Sequence, residues 1–134
     1  MKITVEVSVS APIEAVWAAY VTPDDIVQWN AASDDWHTTS SSVDLRPGGK
    51  FSSRMEAKDG SFGFDFEGEY TNVVPNELIE YGFGDRTASI RFKEDANAVT
   101  VIVEFDAETE NPVEMQREGW HAILNNFKRH VESK

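Results

Sequence analysis

The chain has 134 residues, a mass of 15.0 kDa and a formal net charge of −12, and it contains no cysteine. The length predicts one domain over residues 1–134. The absence of cysteine excludes disulfides, thiolate metal sites and cysteine nucleophiles, and the acidic balance argues against binding to nucleic acid or to anionic membranes. Four tryptophans and eight phenylalanines predict a folded, aromatic interior.

The first predicted elements are a strand and two short helices. Apolar and polar residues alternate strictly over Ile3–Val9, which is typical of a half-buried strand. Pro12 then begins a run of helical apolar spacing that ends at Tyr20. The pair Thr22-Pro23 predicts the start of a second, shorter helix that ends at Trp29.

About six antiparallel strands are predicted next. A weak strand covers Trp36–Leu45, and five alternating strands follow at Phe51–Ala57, Phe62–Tyr70, Ile79–Phe83, Ala88–Lys93 and Val99–Phe105. Glycine, proline, asparagine and aspartate mark the turns between them. The short connections indicate a meander, in which neighbours in sequence are neighbours in the sheet.

The last segment predicts a helix of about 20 residues. Asn111 and Pro112 occupy the cap and the first helical position, and apolar residues then recur at helical spacing from Trp120 to Val131. A meander with one apolar face needs a cover, and this helix is the only element long enough to supply it. The predicted fold class is α+β, with a curved antiparallel sheet wrapped around a long C-terminal helix.

Several stretches in a fixed order resemble a known family. They are Ala11-Pro12 with Val16-Trp17, Thr22-Pro23 through Trp29, Asp44-Leu45-Arg46-Pro47-Gly48-Gly49-Lys50-Phe51, Gly68-Glu69-Tyr70 with Val74-Pro75, and Gly119-Trp120. Together they resemble the Aha1-type (activator of Hsp90 ATPase homologue) branch of the START-like, or SRPBCC, superfamily. The resemblance implies a helix-grip fold with a deep cavity between the sheet and the C-terminal helix. It also implies an apolar ligand, since members bind lipids, sterols, hormones or polyketides there.

The predicted cavity wall combines the inward face of the sheet with the facing side of the helix. Its candidate residues are Trp29, Trp36, Met55, Phe64, Phe66, Tyr81, Phe83, Ile90, Phe92, Val101, Val103, Trp120, Leu124 and Phe127. Trp29 and Trp36 flank the predicted mouth, and Tyr81 and Trp120 offer hydrogen-bond donors that could orient a ligand. The alternative is that these side chains simply fill the core.

We expect no catalytic residue, no metal ion and no cofactor. His37, His121 and His130 lack the spacing of metal ligands, and no serine lies in a nucleophile-elbow motif. Gly119 inside the last helix costs about 1 kcal/mol relative to alanine, so we expect the helix backbone to approach the sheet, or a ligand, closely at this point.

The leading hypothesis is a binding domain for an apolar or amphipathic small molecule. There are two alternatives. One is an enzyme of the cyclase or hydrolase type on the same fold, and the other is a chaperone-linked interaction module. We do not expect a chaperone partner, because the eukaryotic co-chaperone carries an additional Hsp90-binding domain that this sequence lacks. The sequence permits a homodimer without identifying an interface.

The sequence contains no apolar run of membrane-spanning length and no signal peptide. We therefore expect no membrane insertion and a cytoplasmic protein.

Overall fold

The computed structural model describes residues 1–134 and contains seven strands and three helices. In chain order the elements are β1 (Lys2–Val9), α1 (Ile13–Val21), α2 (Pro23–Trp29), β2 (Trp36–Val43), β3 (Lys50–Ala57), β4 (Gly63–Val74), β5 (Leu78–Phe83), β6 (Arg86–Asp95), β7 (Ala98–Asp106) and α3 (Val113–Glu132). None of the helices combines the length and the hydrophobicity that crossing a lipid bilayer would need.

All seven strands form one antiparallel sheet in the order β1-β7-β6-β5-β4-β3-β2. Strands β2 to β7 are the predicted meander, and β1 pairs with β7, where Val5 lies opposite Val103. The helices α1 and α2 therefore connect the two opposite edges of the sheet. The register shifts within β2, between Thr38 and Ser40, and within β4, between Tyr70 and Asn72. Such bulges increase the local twist of a strand and help a sheet to curve.

The long helix α3 lies across the concave face and is attached at its C-terminal end to β1. Lys128 Nζ donates to the Ser8 carbonyl oxygen at 2.5 Å, and the Ser10 N–H donates to Glu132 at 2.8 Å. Phe127 and Leu124 point into the core and are buried. The predicted α+β helix-grip fold is confirmed.

The start of α3 differs by one residue from the prediction. The cap residue is Pro112 and the helix begins at Val113, so Asn111 is not the N-cap. The buried side chain of Gln116 donates to the Asn111 carbonyl oxygen at 2.8 Å and accepts the Glu108 N–H at 2.9 Å. The amide of Gln116 therefore ties the preceding loop to the first helical turn, while no side chain caps the helix N-terminus.

Asp25, in the first turn of α2, joins that helix to the end of α3. Its Oδ1 atom accepts hydrogen bonds from His130 Nε2 at 2.8 Å and from Lys134 Nζ at 2.6 Å. Burial by itself would raise the pKa of Asp25, but the hydrogen bonds and charges of Lys134 and His130 outweigh it and hold the pKa below its ordinary value.

We expect Asp25→Asn to lower the free energy of unfolding by about 1 kcal/mol near pH 7. A carboxyl group whose pKa is lower in the folded chain contributes its full stability above its unfolded pKa of about 4. It loses that contribution as the pH falls through the folded pKa. The difference between the variant and the parent chain, measured by urea unfolding, should therefore shrink as the pH falls below about 4.

The matched control for this prediction is Asp24→Asn. Asp24 lies in the same helical turn, is exposed and forms no ion pair. Equal loss of stability in both variants, or a difference that grows as the pH falls, would show that the bond between α2 and α3 contributes nothing.

Candidate functional site

A cavity of about 510 Å³ lies between the sheet and α3 and opens to the surface. Every strand except β1 contributes to its wall, together with all three helices and the loop after α2. Of the 25 lining residues, 19 are hydrophobic. This volume and this composition are typical of sites for small organic molecules.

Ten of the fourteen predicted wall residues lie on this wall. They are Trp29, Trp36, Met55, Phe64, Phe66, Tyr81, Ile90, Val103, Trp120 and Leu124. Alternation along the strands placed the sheet residues on the concave face, and helical spacing placed Trp120 and Leu124 on the facing side of α3.

The other four predicted wall residues, Phe83, Phe92, Val101 and Phe127, are buried but do not line the cavity. Phe92 packs edge-on against Trp17 and Tyr20 of α1, with ring centroids 5.2 and 5.6 Å apart. Val101 lies opposite Phe92 in the sheet. The cavity occupies only part of the concave face, because α1 covers β6 and β7 around Phe92 and Val101.

Phe127 and Phe83 are excluded from the wall by other aromatic rings. Phe127 lies 5.1 Å from Tyr20 and 5.0 Å from Trp29 between ring centroids, so the two short helices cover it. Phe83 lies 6.1 Å from Trp120, and the Arg86 guanidinium lies over its ring, 4.4 Å from the centroid. Both residues are buried as inward-facing side chains, but their neighbours line the cavity in their place.

Fifteen lining residues were not among the predictions. They are Tyr20, Val21, Ile26, Asn30, Ala32, Ser33, Ser41, Val43, Phe51, Ser53, Tyr70, Ile79, Arg86, Gly119 and Ile123. Alternation could have identified Phe51 and Tyr70, which share a face with predicted residues on β3 and β4. The sequence had placed Trp29, Trp36 and the loop between them at the mouth, but no pattern indicated that Tyr20 and Val21 of α1 also line the cavity.

Tyr20, Tyr70 and Tyr81 place three phenol groups on the wall. Burial raises the pKa of each, that of Tyr70 to about 12. None of the three hydroxyls is hydrogen-bonded within the chain, yet no side-chain oxygen that is sealed from solvent lacks a partner. The phenol oxygens therefore keep accessible surface, and they remain protonated donors at neutral pH.

Polar side chains other than the phenols come from β2, β3, β6 and the loop after α2. The hydroxyls of Ser41 and Ser53 are 3.2 Å apart and form one hydrogen bond. Trp120, one of the predicted anchors, stacks on Phe105 with ring centroids 4.0 Å apart and an interplanar angle of 11°. Arg86 is the only charged side chain on the whole wall.

An exposed aromatic cluster forms part of the mouth. Phe62 is 61% exposed and Phe64 is 41% exposed, and both pack against Trp36 at 6.0 Å between ring centroids. Trp36 and Phe64 also line the cavity, so the cluster connects the interior with the protein surface. Trp36 was predicted at the mouth, whereas Phe62 was predicted only as part of a strand.

None of the three histidines lines the cavity. His37 and His130 line a neighbouring polar hollow of about 450 Å³, which shares Trp29 and Trp36 with the cavity and also contains Lys58 and Arg129. His121 contacts Asn125 on the same helix at 3.4 Å. The chain contains no group of three or more histidine, aspartate and glutamate side chains arranged to hold a metal ion.

Residues 10–132 match the family model described as Activator of Hsp90 ATPase homolog 1-like protein. Among solved structures, an AHSA1-like protein from Aeromonas hydrophila is 47% identical with a TM-score of 0.93, over 99% of this chain and 93% of that chain. A protein from Cytophaga hutchinsonii is also 47% identical, with a TM-score of 0.85, over 98% and 92% of the two chains.

A protein from Nitrosomonas europaea shares the fold at 18% identity, with a TM-score of 0.87 over 99% of this chain and 95% of that chain. No match was found among curated proteins. The match of the family model over nearly the whole chain, supported by two similar structures, confirms the resemblance read from the sequence. The chain belongs to the Activator of Hsp90 ATPase homolog 1-like (AHSA1-like) family.

Proposed function

We propose that this protein is a binding domain that holds a small apolar or amphipathic molecule between the sheet and α3. The observation that carries the proposal is the open, predominantly apolar cavity of about 510 Å³. Transfer of apolar ligand surface into such a cavity is favourable by about 25 cal/mol for each Å² removed from water.

Aromatic contacts hold the wall in place without a ligand. Phe51 packs edge-on against Tyr81 with centroids 4.8 Å apart, and Trp120 stacks on Phe105. Phe66 bridges the two groups, at 6.4 Å from both Tyr81 and Trp120. The rings support each other across four strands and α3. Ligand binding would therefore cost little side-chain conformational entropy, and this preorganisation favours affinity.

The charges on the wall favour binding over acid–base catalysis. A general acid and a general base need pKa values near the working pH. The wall has no aspartate, glutamate, histidine or lysine, and burial raises the pKa values of its three tyrosines away from neutrality. Apart from Arg86, the polar side chains on the wall are phenols, serine hydroxyls and one asparagine amide, none of which titrates near neutral pH.

The test is a calorimetric titration with dodecanol, an uncharged amphiphile, together with native mass spectrometry of protein purified without denaturation. We expect saturable binding of one dodecanol per chain with a negative heat-capacity change, which is the signature of apolar surface burial. Absence of saturable binding, combined with a native mass that never exceeds that of the chain, would contradict the proposal.

A further inference from the structure

Arg86 lies at a position in β6 where the alternation of buried and exposed residues directs the side chain toward the concave face of the sheet. It shares its face with the buried residues Ala88 and Ile90. The preceding turn contains Gly84 in the left-handed region, at φ 63°, and places Arg86 directly opposite Phe83 in the ladder. The hairpin therefore directs a cationic side chain toward the cavity rather than toward solvent.

Within the chain, the guanidinium of Arg86 has only weak partners. It lies over the Phe83 ring, 4.4 Å from the centroid, and Nη1 donates to the Asp106 carbonyl oxygen at 3.3 Å. Its other N–H groups have no acceptor, and Arg86 forms no ion pair. A half-buried cation without a counter-ion has lost part of its hydration with no ion pair to compensate, so an anion beside it would be favourable.

Asp106 accepts a hydrogen bond from Arg86 through its backbone oxygen, but its carboxylate binds other groups. Asp106 accepts hydrogen bonds from Lys2 at 2.9 Å and from the Thr87 N–H at 2.8 Å. These bonds, led by that of Lys2, lower the pKa of Asp106 to about 2. Asp106 therefore accepts a hydrogen bond from Arg86 only through its backbone oxygen. The remaining N–H groups of the guanidinium are available to an anion.

A second donor lies beside Arg86 on the same face. Tyr81 is opposite Ala88 in the ladder, so Arg86 is its diagonal neighbour, at a separation that long side chains span. Its hydroxyl has no partner within the chain, although Tyr81 is more than nine-tenths buried. A guanidinium fork and a phenol on one concave face match the acceptor pattern of a carboxylate.

We propose that the cavity selects an anionic amphiphile, whose carboxylate binds Arg86 and Tyr81 and whose apolar body lies along the aromatic wall. This inference rests on the proposed function and adds the chemical class of the ligand. The net charge of −12 repels anions at long range, but at physiological ionic strength that field is screened within about 8 Å. The local pair with Arg86 is screened much less, because it lies inside an apolar cavity.

The test compares dodecanoic acid with dodecanol near pH 8 by calorimetric titration. The two probes share one apolar chain and differ in the charged head. We expect the acid to bind the parent protein about tenfold to a hundredfold more tightly than the alcohol. Arg86→Met should reduce the ratio of the two affinities to about one, because the acid then loses its cationic partner.

Arg91→Met is the matched control, because Arg91 is exposed on the outward face of the same strand and forms no ion pair. It removes the same charge and should leave the preference for the acid unchanged. Equal affinities of acid and alcohol for the parent protein, or an equal loss in both variants, would overturn this inference alone. Failure of both probes to bind would overturn the proposed function with it.

Discussion

Gly119→Phe is expected to eliminate binding of dodecanol, lowering the affinity by about a hundredfold or more, while α3 remains folded. Gly119 lines the cavity, and a Cβ atom at this residue would meet no other atom within 4 Å. A phenylalanine there would occupy the space that the ligand needs. Displacing even about 150 Å² of apolar contact corresponds to roughly 4 kcal/mol.

Gly119→Ala is the matched control for this loss. Alanine adds one methyl group, leaves most of the cavity open, and should stabilise the helix by about 1 kcal/mol because glycine is a poor helix former. We expect this variant to unfold at higher urea concentration and still to bind dodecanol. A folded Gly119→Phe protein with undiminished affinity would place the ligand outside the cavity.

The open space in front of Gly119 also corrects one expectation from the sequence. The helix backbone does not approach the sheet closely at this point, since nothing lies within 4 Å of the position that a methyl group would take. The structure leaves the other alternative, in which the missing side chain makes room for a ligand. The helix tolerates a destabilising residue where the cavity requires space.

Phe127→Ala is expected to lower the free energy of unfolding by about 3–5 kcal/mol, the largest loss of stability that we predict for a single substitution. Phe127 is 0% exposed and connects α3 to Tyr20 of α1 and Trp29 of α2. Truncation removes these contacts and leaves a void at the junction of three helices, where no single element can move to fill it.

Urea unfolding monitored by circular dichroism measures this effect. Met115→Ala, on the same helix and 59% exposed, should change stability by less than about 0.5 kcal/mol. If Phe127→Ala does not fold, Phe127→Leu can be compared with the parent chain instead, with an expected loss in free energy of unfolding of about 1–2 kcal/mol. A loss below about 1 kcal/mol in Phe127→Ala would mean that the helices do not depend on this residue.

The sequence alone determined the order of the elements and the inward face of most strands. In β1, β5 and β7 every second residue is apolar and buried, because one face of the sheet is covered and the side chains of a strand alternate. The same reasoning, applied to the helical spacing from Trp120 to Val131, identified the side of α3 that the sheet covers. These patterns are local, since each depends only on neighbours within one element.

Only the tertiary structure decided which inward residues line the cavity and which fill the core. Periodicity predicts which face of the sheet a side chain lies on, but not whether a helix covers it there. Phe92 and Phe66 therefore look alike in the sequence, although α1 covers Phe92 and Phe66 lines the cavity. Arg86 shared the inward alternation of β6, yet only the tertiary structure shows that it forms no ion pair and that the Asp106 carboxylate pairs with Lys2 instead. The physical reason is that a cavity is the space left between elements that are distant in sequence, and its shape depends on how they pack together.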